Sequence, residues 1–407
     1  MKKVSLILVI LLIIFHSCSR ISPDINVEQN KYTISIEDAT QVLMSTLADF
    51  QNQTKSSQLE ICSIETVCGD DLNIQGTKST NLGIDNLLYI FNFTNNNGFA
   101  IVAADNRISD PVLMIADIGN ISKDIFKTTC ESSFIYNLIG DYVVFSIDLP
   151  SDDETDFDDS EGGDGGNNGG NNGGGSNGGD NNNPINNIPP MLQTAMHQGP
   201  PYNHFCPPID NNTRYPAGCI PIAMAQIFNY YQYPHINDNL NIPFASNYII
   251  DNSMSGIPRL IENIGIRTDI DYDKDGSGTT MAKAKTAMEE YYAYEDVTKY
   301  NLYRENIILD MISEHKPVLI GARNQWIGGS GHAWVIDGYM YSSTAGHLLH
   351  CNMGWGGPGN GYYVSGVFDV TSGTAPYYPD NTSNINPNGE NLDFAYHYRI
   401  IDYKRPR

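Results

Sequence analysis

The sequence predicts an α+β fold in two domains, and three observations carry the prediction. Segments with helical spacing of apolar residues occur together with short Tyr-, Val- and Ile-rich segments that read as antiparallel strands. An acidic Gly/Asn tract interrupts the chain from residue 151. At 407 residues the chain is longer than one ordinary domain, so each side of the tract has room for its own core.

The chain opens with an export signal over residues 1–18. Lys2 and Lys3 precede an apolar run over residues 4–15, and Ser17-Cys18 supplies a small-residue cleavage site. The run is shorter than the roughly 18–20 residues a spanning helix needs. A cysteine closing such a run suggests bacterial lipoprotein processing at Cys18. Phe15 and His16 depart from that pattern, so secretion with Cys18 discarded stays open. The expected location is outside the bacterial cell: lipid-anchored at the envelope, or secreted after maturation. Cys18 would be the only membrane attachment.

Residues 32–150 read as a small α+β domain. Ala39, Val42, Leu43 and Leu47 give residues 35–50 the stripe of an amphipathic helix. Residues 87–93 and 99–103 flank Asn95-Asn-Asn-Gly98, the chemistry of a hairpin. Further strands are expected over 112–115 and 142–147. Residues 151–187 follow, an acidic, Gly/Asn-rich segment with almost no apolar side chain to offset the entropy of ordering, hence a flexible linker.

Residues 188–407 form the larger domain. Ile220, Ala223, Met224 and Ile227 predict a helix over 220–231, with Pro221 tolerated in its first turn. Two more helices are expected over 282–292 and 305–314, and strands over 318–322, 332–339, 348–352 and 361–364. The architecture expected is a helix carrying Cys219 packed on an antiparallel sheet carrying His332.

The formal charge of −24 argues against nucleic acid as a partner, because phosphate binding requires a basic surface. Of seven cysteines, five remain after Cys18 and Cys219 are set aside, so at least one of those is unpaired. Asp271-Tyr-Asp273-Lys-Asp275-Gly276 imitates half of a calcium loop, yet the twelfth position is Ala282 rather than Glu. No metal or cofactor is expected.

Cys219 opens its helix after Gly218, where the helix N-terminus favours a thiolate. Taken alone, such a cysteine is more often a small buried hydrophobe. His332 follows Gly328-Gly-Ser-Gly331, small residues that leave space beside its ring, and Asn352-Met-Gly-Trp355-Gly-Gly357 comes next. The order Cys, His, Asn is that of papain-like thiol proteases. Gln198 precedes the cysteine as a candidate oxyanion donor, paired with the Cys219 N–H.

Together these segments resemble the streptopain family of cysteine peptidases, over essentially all of residues 190–407. The resemblance rests on Gln198-Gly-Pro-Pro-Tyr-Asn203, Gly218-Cys219-Ile-Pro-Ile-Ala-Met-Ala-Gln226, Asp275-Gly-Ser-Gly278, Gly331-His-Ala-Trp-Val-Ile-Asp-Gly338 and Asn352-Met-Gly-Trp-Gly-Gly357. Residues 91–107 are similar to the family's prosegment. The resemblance implies a papain-like two-subdomain catalytic domain behind a small prodomain. It casts Cys219 as nucleophile, His332 as general base and acid, Gln198 as oxyanion donor, and Asn352 with Trp355 as supports of the histidine. Ser277 and Gly331 would line the substrate cleft. Met353 departs from the family, which often has Trp there.

The expected function is an exported cysteine endopeptidase made as a zymogen. It would act on protein or peptide substrates, with its own prosegment as intramolecular inhibitor. One alternative is a catalytically silent surface lipoprotein that keeps the papain fold as a binding scaffold. Another is acyl transfer from the same thioester.

Overall fold

The computed structural model describes residues 32–54, 59–72, 86–127, 139–140, 142–143, 187–233, 256–323, 331–365 and 398–405. The expectations for residues 1–18, Cys18 among them, and for residues 151–186 of the linker lie outside the described residues. Among the described residues no helix is long and apolar enough to cross a membrane.

Helix α1, Ile36–Thr54, begins after Ser35, whose hydroxyl accepts the Asp38 N–H at 3.1 Å as an N-cap. Ala39, Leu43 and Leu47 are its buried stripe, as their spacing predicts. Strand β1, Ile61–Val67, is a sheet edge and was not foreseen, because Ser63, Glu65 and Thr66 dilute its apolar signal. Strands β2, Leu88–Phe93, and β3, Phe99–Ala103, form the expected hairpin, and β4, Val112–Ala116, pairs with β3. The strand expected over 142–147 is corrected at its start. Tyr142 and Val143 are helical, with Val143 wholly buried and the Tyr142 hydroxyl 3.1 Å from that of Ser109. A short apolar run does not by itself distinguish a strand from one buried helical turn.

Beyond the linker, helix α2 spans Cys219–Tyr231, with ten of its residues buried. Helix α3, Gly256–Arg267, is an addition to the expected set. Helices α4, Met281–Glu290, and α5, Glu305–Ser313, lie within a residue or two of their predicted bounds. The strands are β5, Glu295–Tyr300; β6, Val318–Arg323; β7, Gly331–Ser342; β8, Gly346–Asn352; β9, Gly361–Val364; and β10, Arg399–Lys404. Of these, β5 and β10 were not foreseen, since charged residues recur through both.

All ten strands join one antiparallel sheet in the order β1-β2-β3-β4-β9-β8-β7-β6-β10-β5. Helix α2 packs against β7, which brings the Cys219 helix onto the His332 strand. The two expected domains therefore share a sheet, joined where β4 pairs with β9 through Met114–Tyr363, Ile115–Tyr362 and Ala116–Gly361. Gly361 makes this junction possible. A Cβ there would lie 2.3 Å from the Ile115 carbonyl oxygen and 2.7 Å from the Ala116 Cα.

Candidate active site

Cys219 is the first residue of α2 and is half-buried. Gly218 immediately before it holds φ +84°, and a Cβ there would sit 2.6 Å from Ile270 Cδ1 and 3.1 Å from the Ser277 carbonyl oxygen. Both the left-handed φ and the crowding select glycine. The Ala217 N–H donates to the Gln198 carbonyl at 2.9 Å, which sets Gln198 beside the entry to the helix. At that entry the first N–H groups have no carbonyl one turn earlier in the helix and point outward.

Ser277 lies next to Gly218, as its expected place in the cleft requires, but its side chain is largely buried. Its hydroxyl lies 3.3 Å from the Asp273 N–H and 3.4 Å from the Asp273 carbonyl, closing the 273–277 turn. Any contact Ser277 offers a peptide would thus come from its main chain. Gly331, exposed at the start of β7, pairs with Arg323 at the end of β6.

His332 follows on β7 and is only 5% exposed. The expectation of open space beside the ring rests on Gly328-Gly-Ser330, which lie outside the described residues; among the described residues two indoles stand against the ring. Trp355 stacks at 4.7 Å between centroids with planes 30° apart, and Trp334, two residues along the strand, lies at 6.1 Å and 10°. Burial pulls the imidazole down to about 4, against the opposing effect of a bond to the Met353 carbonyl.

That bond corrects an expectation. His332 Nε2 lies 2.8 Å from the main-chain oxygen of Met353, where the carboxamide of Asn352 was expected. The Asn352 side chain is engaged elsewhere. Its Nδ2 donates to the Thr194 carbonyl at 2.8 Å, and its Oδ1 accepts the Gly354 N–H at 3.2 Å. Asn352 ends β8 opposite Val335, and this register turns its amide toward the 194–196 segment. A carbonyl oxygen can only accept, so Nε2 carries the proton and Nδ1 holds the lone pair of the neutral ring.

Sequence reasoning did not single out Asn360, Asp337 or His350. Asn360 Oδ1 accepts the Met353 N–H at 2.9 Å, and its surroundings, Pro358-Gly-Asn360-Gly, read only as a turn. His350 on β8 lies between two carboxylates: Nδ1 is 2.6 Å from Asp337 Oδ1, and Nε2 is 3.0 Å from Asp117 Oδ2, just past β4. Burial lowers His350 and the two aspartates raise it, with the balance at about 10. Asp337 sits at a bulge between Ile336 and Gly338, and its Oδ2 accepts the Leu192 N–H at 2.8 Å. A charge inside an apolar strand was the signal that could have found this pair, since such a group must have a partner.

His197 packs edge-on against Tyr202 at 5.0 Å and accepts the Gly199 N–H at Nδ1. The Gly356 N–H donates to the Met196 carbonyl at 3.1 Å, so the loop carrying Trp355 is tied to the segment before Gln198. Among the described cysteines, Cys62, Cys206 and Cys351 are free thiols.

Comparison with known proteins finds that the Peptidase C10 family matches residues 196–240 and 239–363, which include Gln198, Cys219, His332 and Asn352. Over these residues the chain is similar to the Peptidase C10 family. The chain is also similar to the thiol protease/hemagglutinin PrtT of Porphyromonas gingivalis, 23% identical over 229 residues, 46% of this chain and 26% of that protein. Streptopain of Streptococcus pyogenes is 24% identical over 217 residues, 41% of this chain and 52% of streptopain. The chain thus spans about a quarter and about half of the lengths of these two relatives. A solved prointerpain A fragment from Prevotella intermedia superposes with a TM-score of 0.52 at 18% identity, over 86% of this chain and 100% of the fragment. The α+β, papain-like fold is therefore shared, and at that coverage it includes much of the chain before the linker.

Proposed function

We propose that this chain is an exported cysteine endopeptidase made as a zymogen. The observation that carries the reading is the family match over residues 196–363, with Cys219 heading a helix packed on the strand of His332. In this reading His332 Nδ1 takes the proton of the Cys219 thiol, and the thiolate so formed attacks a peptide carbonyl carbon. The oxyanion forms against the Cys219 N–H and the Gln198 side chain. His332 delivers a proton from Nδ1 to the departing amine as the C–N bond breaks, leaving an acyl thioester. The same nitrogen then takes a proton from water, whose oxygen attacks the thioester and regenerates the thiol.

The latent form fits two features of the site. A His332 held near 4 by burial is neutral at physiological pH, so it gives the thiolate no cationic partner. The N-terminal strands also run directly into β9, next to the Met353–Asn360 loop. We propose residues 32–150 as the prosegment, the 151–187 tract as the segment cleaved on maturation, and Cys18 as the lipid attachment.

The full chain should release a fragment beginning near residue 188 and gain activity on a denatured protein substrate as it does so. Cys219→Ala should abolish turnover, self-processing and labelling by a thiol-directed epoxide. Hydrolysis by the pure Cys219→Ala chain would refute the assignment.

A further inference from the structure

The proton on His332 Nε2 meets the Met353 carbonyl, and the peptide units on either side of Met353 are held by two asparagines. The Met353 C=O and the Gly354 N–H belong to one planar peptide unit. Asn352 Oδ1 accepts that N–H at 3.2 Å, on the side of the plane away from the carbonyl. The preceding peptide unit ends in the Met353 N–H, which Asn360 Oδ1 accepts at 2.9 Å. Both peptide units flanking Met353 Cα are therefore fixed by asparagine oxygens, and the carbonyl between them accepts from His332 at 2.8 Å. Asn352 is 3% and Asn360 8% exposed, so water is a poor substitute for either.

We propose that a main-chain carbonyl, that of Met353, orients His332, and that Asn360 is a positioning residue acting through it in partnership with Asn352. The arrangement gives the imidazole one tautomer, with the ring lone pair on Nδ1, the nitrogen that exchanges protons in the peptidase reading. It also makes the Met353 side chain dispensable for this purpose, since the atom in use is common to every residue. Asn360 is anchored at its own main chain as well: its N–H donates to the Gly357 carbonyl and its carbonyl accepts the Asp117 N–H, both at 2.9 Å. The clamp is therefore built on the strand start that receives β4.

The kinetic part of the test rests on the peptidase reading, and the spectroscopic part does not. Full chains carrying ¹⁵N-labelled imidazoles would be compared as parent, Asn360→Ala, Asn360→Asp and Met353→Leu. The parent should show His332 as the Nε2–H tautomer. Asn360→Ala should give a tautomer mixture and a kcat lowered roughly tenfold to hundredfold with KM little changed, as for a misplaced group. Asn360→Asp keeps an oxygen for the Met353 N–H, so it should restore the parental signal and most of kcat. Met353→Leu keeps the main-chain carbonyl and should therefore keep the Nε2–H tautomer.

A folded Asn360→Ala chain with the parental His332 signal would overturn the proposal, as would loss of the tautomer in Asn360→Asp or Met353→Leu. If Asn360→Ala does not fold, the Asp and Leu variants decide in the same way. Tautomer shifts without turnover in any chain, parent included, would support the clamp and count against the peptidase reading.

Discussion

His332 and His350 stand on neighbouring strands of one sheet, both almost wholly buried, and they titrate in opposite directions. His332 meets a carbonyl and two indole faces, so burial dominates and the ring falls to about 4. His350 meets Asp337 and Asp117, whose charges outweigh the same burial and lift it to about 10. Burial sets the cost of the cation, and the neighbours decide whether it is met. One ring is kept neutral and available for proton transfer. The other is a cation at neutral pH, linking β7, β8 and the chain just after β4.

The comparison can be broken by removing each side. His332→Ala should lower turnover by about 10⁴-fold or more, as loss of a general base does, while the unfolding midpoint moves modestly. Asp337→Ala should do the reverse. It leaves a buried cation beside a half-exposed partner and takes an acceptor from the Leu192 N–H, a loss on the order of 3–5 kcal/mol. Denaturant melts and steady-state assays on both variants read the two axes. If Asp337→Ala cost turnover but no stability, the division of roles between the two histidines would be wrong.

Acid and base should likewise act on different histidines. For His332, with 6.5 as its ordinary value and about 4 in the fold, the unfolded chain binds the extra proton between those values. Its contribution is complete above 6.5 and is lost as pH falls toward 4. For His350 the folded chain holds the extra proton between 6.5 and about 10. Its contribution is complete below 6.5 and is lost as pH rises through 10. Stability followed by urea midpoints should therefore peak near 6.5, and His350→Gln should flatten the alkaline side alone. Equal flattening of both sides would sink the assignment of the two limbs.

What was legible in the sequence follows from the same physics. Helix α2 and strands β6 to β9 were readable because their apolar spacing or their continuous runs reflect burial. The edge strands β1 and β5 and the charged β10 were not, since polar and charged residues dilute their apolar pattern. The order of Cys219 and His332 was visible, and so was Trp355 as a neighbour of the ring. The partner of His332 was not, because a main-chain carbonyl leaves no mark on residue identity, whereas Asn352 offered an obvious side chain. The β4–β9 junction was equally hidden: pairing between strands far apart in sequence depends on shape at Gly361, not on a local pattern. Asp337 within Ala333-Trp-Val-Ile-Asp337-Gly was a signal in plain view, passed over because the motif was read for His332.

The smallest expected effect concerns the side of the His350 cluster that belongs to the N-terminal region. Asp117 is 43% exposed at its side chain, and its main-chain N–H separately donates to the Asn360 carbonyl. In Asp117→Asn the amide oxygen still accepts from His350 Nε2, so only the charge is removed while β4 and β9 remain paired. A half-exposed pair is screened by water, and its loss should be about 0.5–1 kcal/mol. In native-state hydrogen exchange that is roughly a twofold to fivefold faster opening, confined to β4, β9 and the 117–119 segment. Acceleration a hundredfold or more, or spread through β6 and β7, would mean that Asp117 matters to His350 as much as Asp337 does. The cation would then be held equally from both sides of the β4–β9 junction, and the N-terminal region would be part of the core rather than docked on it.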